Sequence, residues 1–298
     1  MTPVGCGRVR DRLDRDLSAI ASRSVDRPIG MFDSGFGGLT VARAVIDLLP
    51  AEELVYIGDT GRYPYGPKPR GDVRRYARQL AWSLVKEYDV KAIIVACNTA
   101  AAAGLDDLRG EMPVPVIDVI EPGAAALVQA TTSGRAGVIG TVGTIASGAY
   151  VHAVATAADA AGADVVLESA ACPGFVEFVE RGVTTGDEVT VLAERLLAPL
   201  VAADIDTLLL GCTHYPFLAE VIGSVMSRRV TLVSSADETA FAARHVLGRL
   251  GLLRAEDGLP GVHHFLSSGD VSEFRRLGAR LLGPELNHTA PWAPSIPD

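Results

Sequence analysis

Two cysteines occupy matching local frames. Cys97 follows the apolar run Ala92-Ile93-Ile94-Val95-Ala96 and precedes Asn98-Thr99, while Cys212 follows Leu208-Leu209-Leu210-Gly211 and precedes Thr213-His214. A lone buried cysteine reads as a small hydrophobe. Two in the same frame, each followed by polar, hydrogen-bonding residues, read instead as a pair of acid–base groups. A structural disulfide suits them poorly in a chain with four cysteines and no apolar secretory leader, and their neighbours lack metal-ligand spacing. The chemistry such a pair offers is proton removal from one face of a substrate and proton delivery to the other.

The surrounding elements must bring the two thiols to one place. Short runs of branched apolar residues ending in a small residue predict central parallel strands, and ligands bind off the carboxyl ends of such strands. The chain alternates strand and helix signals. Residues 28–32 predict a strand, Asp33-Ser34-Gly35-Phe36-Gly37-Gly38 a turn, and Leu39 to Leu49 a helix stopped by Pro50. Strands are expected at 54–57, 92–96, 114–119, 137–140, 164–167 and 207–210, with helices over 72–88, 100–109, around Tyr150 and His152, and within 175–195. Thr141-Val142-Gly143-Thr144 reads as a turn. The two halves form a weak repeat, a first strand ending in a Ser/Thr/Gly turn and a later strand ending at Cys-polar-polar. This predicts an α/β protein of two similar, doubly wound, flavodoxin-like units with parallel sheets, one cysteine on each wall of the cleft between them.

At 298 residues with 48% hydrophobic content the chain can fill two cores. Its net charge of −9 and pI near 5.2 argue against nucleic acid as the main ligand, because phosphate contacts need a basic face. A small anion remains allowed at helix N-termini. No apolar stretch is long enough to span a membrane, and residues 1–28 mix both charge signs without the apolar core of a signal peptide, so a cytoplasmic protein with a flexible extension is expected. The glycine-rich turns match neither a P-loop nor a dinucleotide fingerprint. They are expected to offer free backbone N–H groups to a carboxylate.

Phe32-Asp33-Ser34-Gly35-x-Gly37-Gly38-Leu39-Thr40, Gly58-Asp59-Thr60, Pro64-Tyr65-Gly66, Ala96-Cys97-Asn98-Thr99-Ala100, Gly140-Thr141, Cys172-Pro173 with Glu180-x-Gly182, and Gly211-Cys212-Thr213-His214-Tyr215-Pro216 together resemble the cofactor-independent glutamate racemases of the aspartate/glutamate racemase superfamily. The resemblance runs from about Ile29 to about Ala240. It implies an isomerase that interconverts L- and D-glutamate by a two-base mechanism without pyridoxal phosphate or metal and supplies D-glutamate for peptidoglycan. It divides the chain into an extension over 1–28, a first α/β domain over 29–121, a second over 122–235, and a segment over 236–298 that returns to the first domain.

The resemblance also assigns roles. Cys97 and Cys212 are the two bases, with Asp33 serving Cys97 and His214 serving Cys212. An unperturbed thiol is only a few per cent ionised at neutral pH, so such helpers are needed. Substrate contacts fall to Asp33, Ser34, Tyr65 with the Gly66 backbone, Asn98, Thr99, Thr213 and His214, with Glu180 behind the second thiol and Thr141 near the substrate. Arg62-Tyr63 departs from the family pattern, as do Gly174 and Glu177. Cys172 reads as structural and Cys6 as exposed. Aspartate or hydantoin racemisation is the alternative activity on the same scaffold. A homodimer and DNA gyrase are the protein partners that relatives suggest, the arginines of residues 1–28 being the surface for gyrase.

Overall fold

The computed structural model describes residues 25–227, 229–255, 258–287 and 289–294. Cys6 and the expected extension up to residue 24 lie outside them. Two all-parallel sheets form the frame. The first has six strands, in the spatial order Thr289–Pro291, His263–Ser267, Leu54–Gly58, Ile29–Asp33, Ala92–Val95 and Val116–Asp118, and the second four, in the order Val166–Ala171, Arg135–Gly140, Thr207–Gly211 and Thr231–Ser234.

The chain runs β1 (Ile29–Asp33), α1 (Leu39–Leu48), β2 (Leu54–Gly58), α2 (Arg70–Tyr88), β3 (Ala92–Val95), α3 (Asn98–Glu111), β4 (Val116–Asp118) and α4 (Ile120–Ala130). It continues with β5 (Arg135–Gly140), α5 (Val142–Ala146), α6 (Ala149–Ala161), β6 (Val166–Ala171), α7 (Phe175–Glu180), α8 (Asp187–Ala202) and β7 (Thr207–Gly211). A 3₁₀ turn over Tyr215–Leu218, α9 (Ala219–Val225), β8 (Thr231–Ser234) and α10 (Ser235–Leu250) follow. The last part is β9 (His263–Ser267), α11 (Val271–Leu282), a 3₁₀ turn over Gly283–Asn287, and β10 (Thr289–Pro291).

The strands β1, β2, β3 and β7 are buried along their whole length, which is why they read as continuous apolar runs. In each sheet the first strand in sequence lies between the second and the third: β1 pairs with β2 and β3, and β5 with β6 and β7. The order in which strands are added therefore reverses beside β1 and again beside β5, and the crevice that forms off the carboxyl ends at such a point is where ligands bind in open α/β sheets. Asp33 and Cys97 stand at the first crevice, Thr141 and Cys212 at the second.

Three details differ from the sequence reading. Thr141 to Thr144 is the capped first turn of α5, Thr141 accepting from the Thr144 N–H. Strand β6 begins two residues later and ends four later than the expected 164–167, because its half-exposed Val-Leu-Glu-Ser-Ala-Ala carries no clear apolar run. Helix α4, absent from the sequence reading, spans the expected boundary at 121/122. The Asp118 carboxylate accepts from the Ile120 and Glu121 N–H groups at its start, and the helix packs against α6, α10 and β7. One apolar core runs from the first sheet under α4 to Val138, Tyr150 and Leu209 of the second unit. A second core fills the other face of the second sheet around Phe175, Leu197, Leu208 and Tyr215. Among the described residues no helix is long and apolar enough to cross a membrane.

Candidate active site

A cavity of about 100 Å³ opens between the two sheets, and Asp33, Ser34, Tyr65, Gly66, Cys97, Asn98, Thr99, Thr141, Cys212, Thr213 and His214 all line it. Room of this size suits a small metabolite. The first wall is built on the β1 and β3 ends. Asp33 is buried at the last position of β1, and its carboxylate accepts from the Gly38 N–H at 2.9 Å, the Gly35 N–H at 3.3 Å and the Ser34 hydroxyl at 3.5 Å. These turn amides, expected to be free for a substrate carboxylate, are thus occupied by Asp33. The side-chain carboxylate at the end of β1 reaches them first.

Cys97 caps helix α3, its sulfur accepting from the Ala100 N–H at 3.4 Å and donating to the Ser34 hydroxyl at 3.5 Å. Asp33 therefore bears on this thiol through Ser34 and through its charge. A helix N-terminus favours a thiolate, yet burial, and then the Asp33 charge, push the Cys97 thiol up to about 12.

The second wall hangs from β7. Cys212 lies 3.9 Å from His214 Nδ1, and His214 Nε2 lies 3.4 Å from Glu180 Oε1 at the end of α7. Burial alone lowers the proton affinity of this imidazole, but the hydrogen bonds of Cys212 and Glu180, with the charges of Cys212 and Asp33, outweigh it and raise His214 to about 10. The two walls touch at Gly37, where a Cβ would fall 2.2 Å from Thr213 Oγ1 and 2.5 Å from His214 Nδ1. Only hydrogen fits there.

Further hydrogen bonds join residues that line the cavity to one another and to their neighbours. The Thr99 and Thr141 hydroxyls lie 3.0 Å apart, the Thr141 and Thr144 hydroxyls likewise, and the Gly66 carbonyl accepts from the Gly143 N–H at 3.2 Å. Asn98 donates to the Tyr150 hydroxyl at 2.6 Å and keeps its buried amide oxygen without a partner among the described residues. Tyr65 lines the cavity, and its hydroxyl donates to Asp59. Asp59 also accepts from Arg62 at 2.7 Å and from Ser268 at 2.7 Å, and Arg62 donates to Gln79 of α2 at 2.6 Å, which ties the Tyr65 loop to α2 and to the residue after β9.

The cavity holds residues that the sequence reading left out: Tyr63, Val142, Val176, Glu177 and Cys172. Cys172 follows β6 directly, as Cys212 follows β7, and had the strand been placed correctly that shared position would have put a third thiol at the site. Burial, and then the Cys212 charge, push this thiol up to about 12. It faces the cavity as a neutral group. Among the described residues no three His, Cys, Asp or Glu side chains form a metal-binding set.

Residues 37–243 match the Asp/Glu/hydantoin racemase family. A glutamate racemase of a Parafrankia species is 56% identical over 259 residues, covering 87% of this chain and 92% of the relative. The crystal structure of a glutamate racemase isoform from Bacillus anthracis superposes with a TM-score of 0.83 at 41% identity, covering 90% of this chain and 97% of that one. That of a glutamate racemase from Francisella tularensis, in complex with D-glutamate, gives a TM-score of 0.83 at 33% identity over 91% of this chain and 99% of that one.

Proposed function

The chain belongs to the Asp/Glu/hydantoin racemase family as one of its glutamate racemases, and on that premise we propose that Cys97 and Cys212 move the α-proton of glutamate between the two faces of its Cα. The observation that carries this reading is the placing of two thiols, each just past the third strand of its own sheet, on opposite walls of one small cavity. One sulfur, as thiolate, takes the α-proton and becomes a thiol. The other delivers its own proton to the opposite face of the resulting carbanion and is left as the thiolate. Each turnover exchanges the two protonation states, and each enantiomer selects the enzyme form it meets.

The surroundings fit these roles. With its thiol pushed up by burial and by the Asp33 charge, Cys97 is held protonated, so the ligand-free site presents it as the acid. Cys212 and His214, across 3.9 Å, pass a proton between them, with Glu180 holding the imidazole from behind. A substrate ammonium beside Asp33 offsets the charge that adds to burial in suppressing ionisation of Cys97, so substrate binding shifts this thiol towards its base form. The unpartnered Asn98 amide oxygen and the hydroxyls of Ser34, Thr99, Thr141 and Thr213 supply polar contacts for the remaining groups, with the Gly66 backbone closing the ring. The D-glutamate formed serves peptidoglycan assembly in the cytoplasm.

Single replacements test the assignment. Cys97→Ala and Cys212→Ala are each expected to abolish racemisation, followed by circular dichroism of L- and D-glutamate. Elimination of chloride from a 3-chloroglutamate needs one deprotonation only, so each variant should retain it for one enantiomer and lose it for the other. Equal loss for both enantiomers in either variant contradicts the two-base reading.

A further inference from the structure

Tyr63 stands where the reaction cavity meets a second, outer pocket, and with Glu177 it lines both. Glu180 lines the outer one. The Tyr63 ring packs over Gly35, where a Cβ would come within 2.8 Å of it. It meets Phe36 edge-on, with ring centroids 6.3 Å apart, and lies at 32° to the His214 imidazole, also at 6.3 Å. Three buried polar atoms gather at this wall: the Tyr63 hydroxyl, Glu180 Oε1 and His214 Nε2 have no well-formed hydrogen bond among the described residues, although the carboxylate and imidazole are 3.4 Å apart. Burial, and then the Glu180 charge, keep the phenol protonated. A phenol that holds its proton beside an under-satisfied carboxylate is a donor with one acceptor to serve.

We propose that Tyr63 is a positioning residue for proton transfer at Cys212: its hydroxyl serves Glu180, fixing the carboxylate that orients His214, while its ring separates His214 from the outer pocket. On the Cys97 side the supporting carboxylate, Asp33, is held by the Gly35 and Gly38 amides and Ser34 instead. Loss of the Tyr63 hydroxyl therefore affects one face of the reaction.

The inference rests on the two-base reading, and the test keeps the two apart. Tyr63→Phe preserves the ring and is placed in the Cys97→Ala and Cys212→Ala backgrounds, and chloride elimination is measured with each enantiomer of 3-chloroglutamate. The expected result is about a tenfold slower elimination when Cys212 is the remaining base and a rate within about twofold of the parent when Cys97 is the remaining base. Equal slowing in both backgrounds, slowing confined to the Cys97 base, or no slowing in either overturns the role of Tyr63 while leaving the two bases in place. If the parent single variants lack opposite enantiomer preferences, the two-base reading fails and takes this inference with it.

Discussion

The two thiols hold equivalent places in their sheets but sit in different fields. Cys97 has a helix N-terminus, which favours the anion, and a buried carboxylate, which opposes it; burial and the carboxylate win. Cys212 has an imidazole backed by Glu180. The sign of the pH effect follows from His214. Its proton affinity in the folded chain, about 10, exceeds the unfolded value of 6.5, so its contribution to stability is fully present below about pH 6.5 and is lost as pH rises through about 10. Cys97, also raised, works in the same direction at higher pH, so the variant comparison isolates the imidazole. His214→Asn is expected to make the melting temperature less dependent on pH between about 6.5 and 10 than in the parent, and to slow elimination at the Cys212 face by about 10²–10⁴. Parallel melting curves for the two proteins across that window would remove the raised imidazole, and unchanged elimination would leave His214 a structural hydrogen-bonder.

At the scale of elements, the glycine-rich turn after β1 does something other than its composition suggests. It looks like an anion cradle, but its amides are taken by Asp33, and Gly37 is small because the Thr213-His214 corner of the other unit lies against it. Contact between Gly37 and a corner that lies on the other unit, far along the chain, leaves no local pattern, which is why the close approach could not be read from the turn. The same limit hid the Tyr65 hydroxyl, turned to Asp59, and Cys172, whose strand is an edge strand without a clear apolar run. The fully buried strands beneath Cys97 and Cys212 were legible because burial on both faces writes itself as unbroken apolar sequence. Gly37→Ala tests the close approach directly. A methyl group cannot occupy 2.2 Å from an oxygen, so the Asp33 turn and the Cys212 corner must separate. A displacement of about 1 Å at reacting groups can cost about 10² in rate, whereas overpacking here costs about 1–3 kcal/mol. The expected outcome is a folded protein with racemase activity lowered about a hundredfold; full activity would show that the two walls accommodate the methyl without moving.

For the whole molecule, alternation of strand and helix signals was enough to indicate parallel α/β architecture, and the same order of the first four strands in each sheet underlies the weak repeat in the sequence. The end of the chain was not readable in the same way. His263–Ser267 carries a short apolar core, but only its pairing in register with Leu54–Gly58 makes it part of the first sheet. That pairing places Phe265 against the core, and the following segment adds Phe274, Leu282, Leu286 and Trp292, all buried. It also holds the loop that leads to Tyr65: Ser268 accepts from the Gly61 N–H at 2.9 Å and donates to Asp59 at 2.7 Å, and Ser267 meets Thr60 at 2.7 Å. Burial of each large side chain is worth about 1.5–3 kcal/mol, so five of them amount to roughly 10 kcal/mol, comparable with the entire stability of a typical domain. A chain ending at Pro260 is therefore expected to be unfolded or insoluble. Ser268→Ala, which removes only the polar tie, should fold with a melting temperature close to the parent's and show a raised KM for glutamate, because the loop carrying Tyr65 and Gly66 is then less firmly held while both thiols are undisturbed. Native circular dichroism and full turnover in the shortened chain would mean that the first sheet closes without β9 and β10, and an unchanged KM in Ser268→Ala would place the hold on that loop with Arg62 and Asp59 alone.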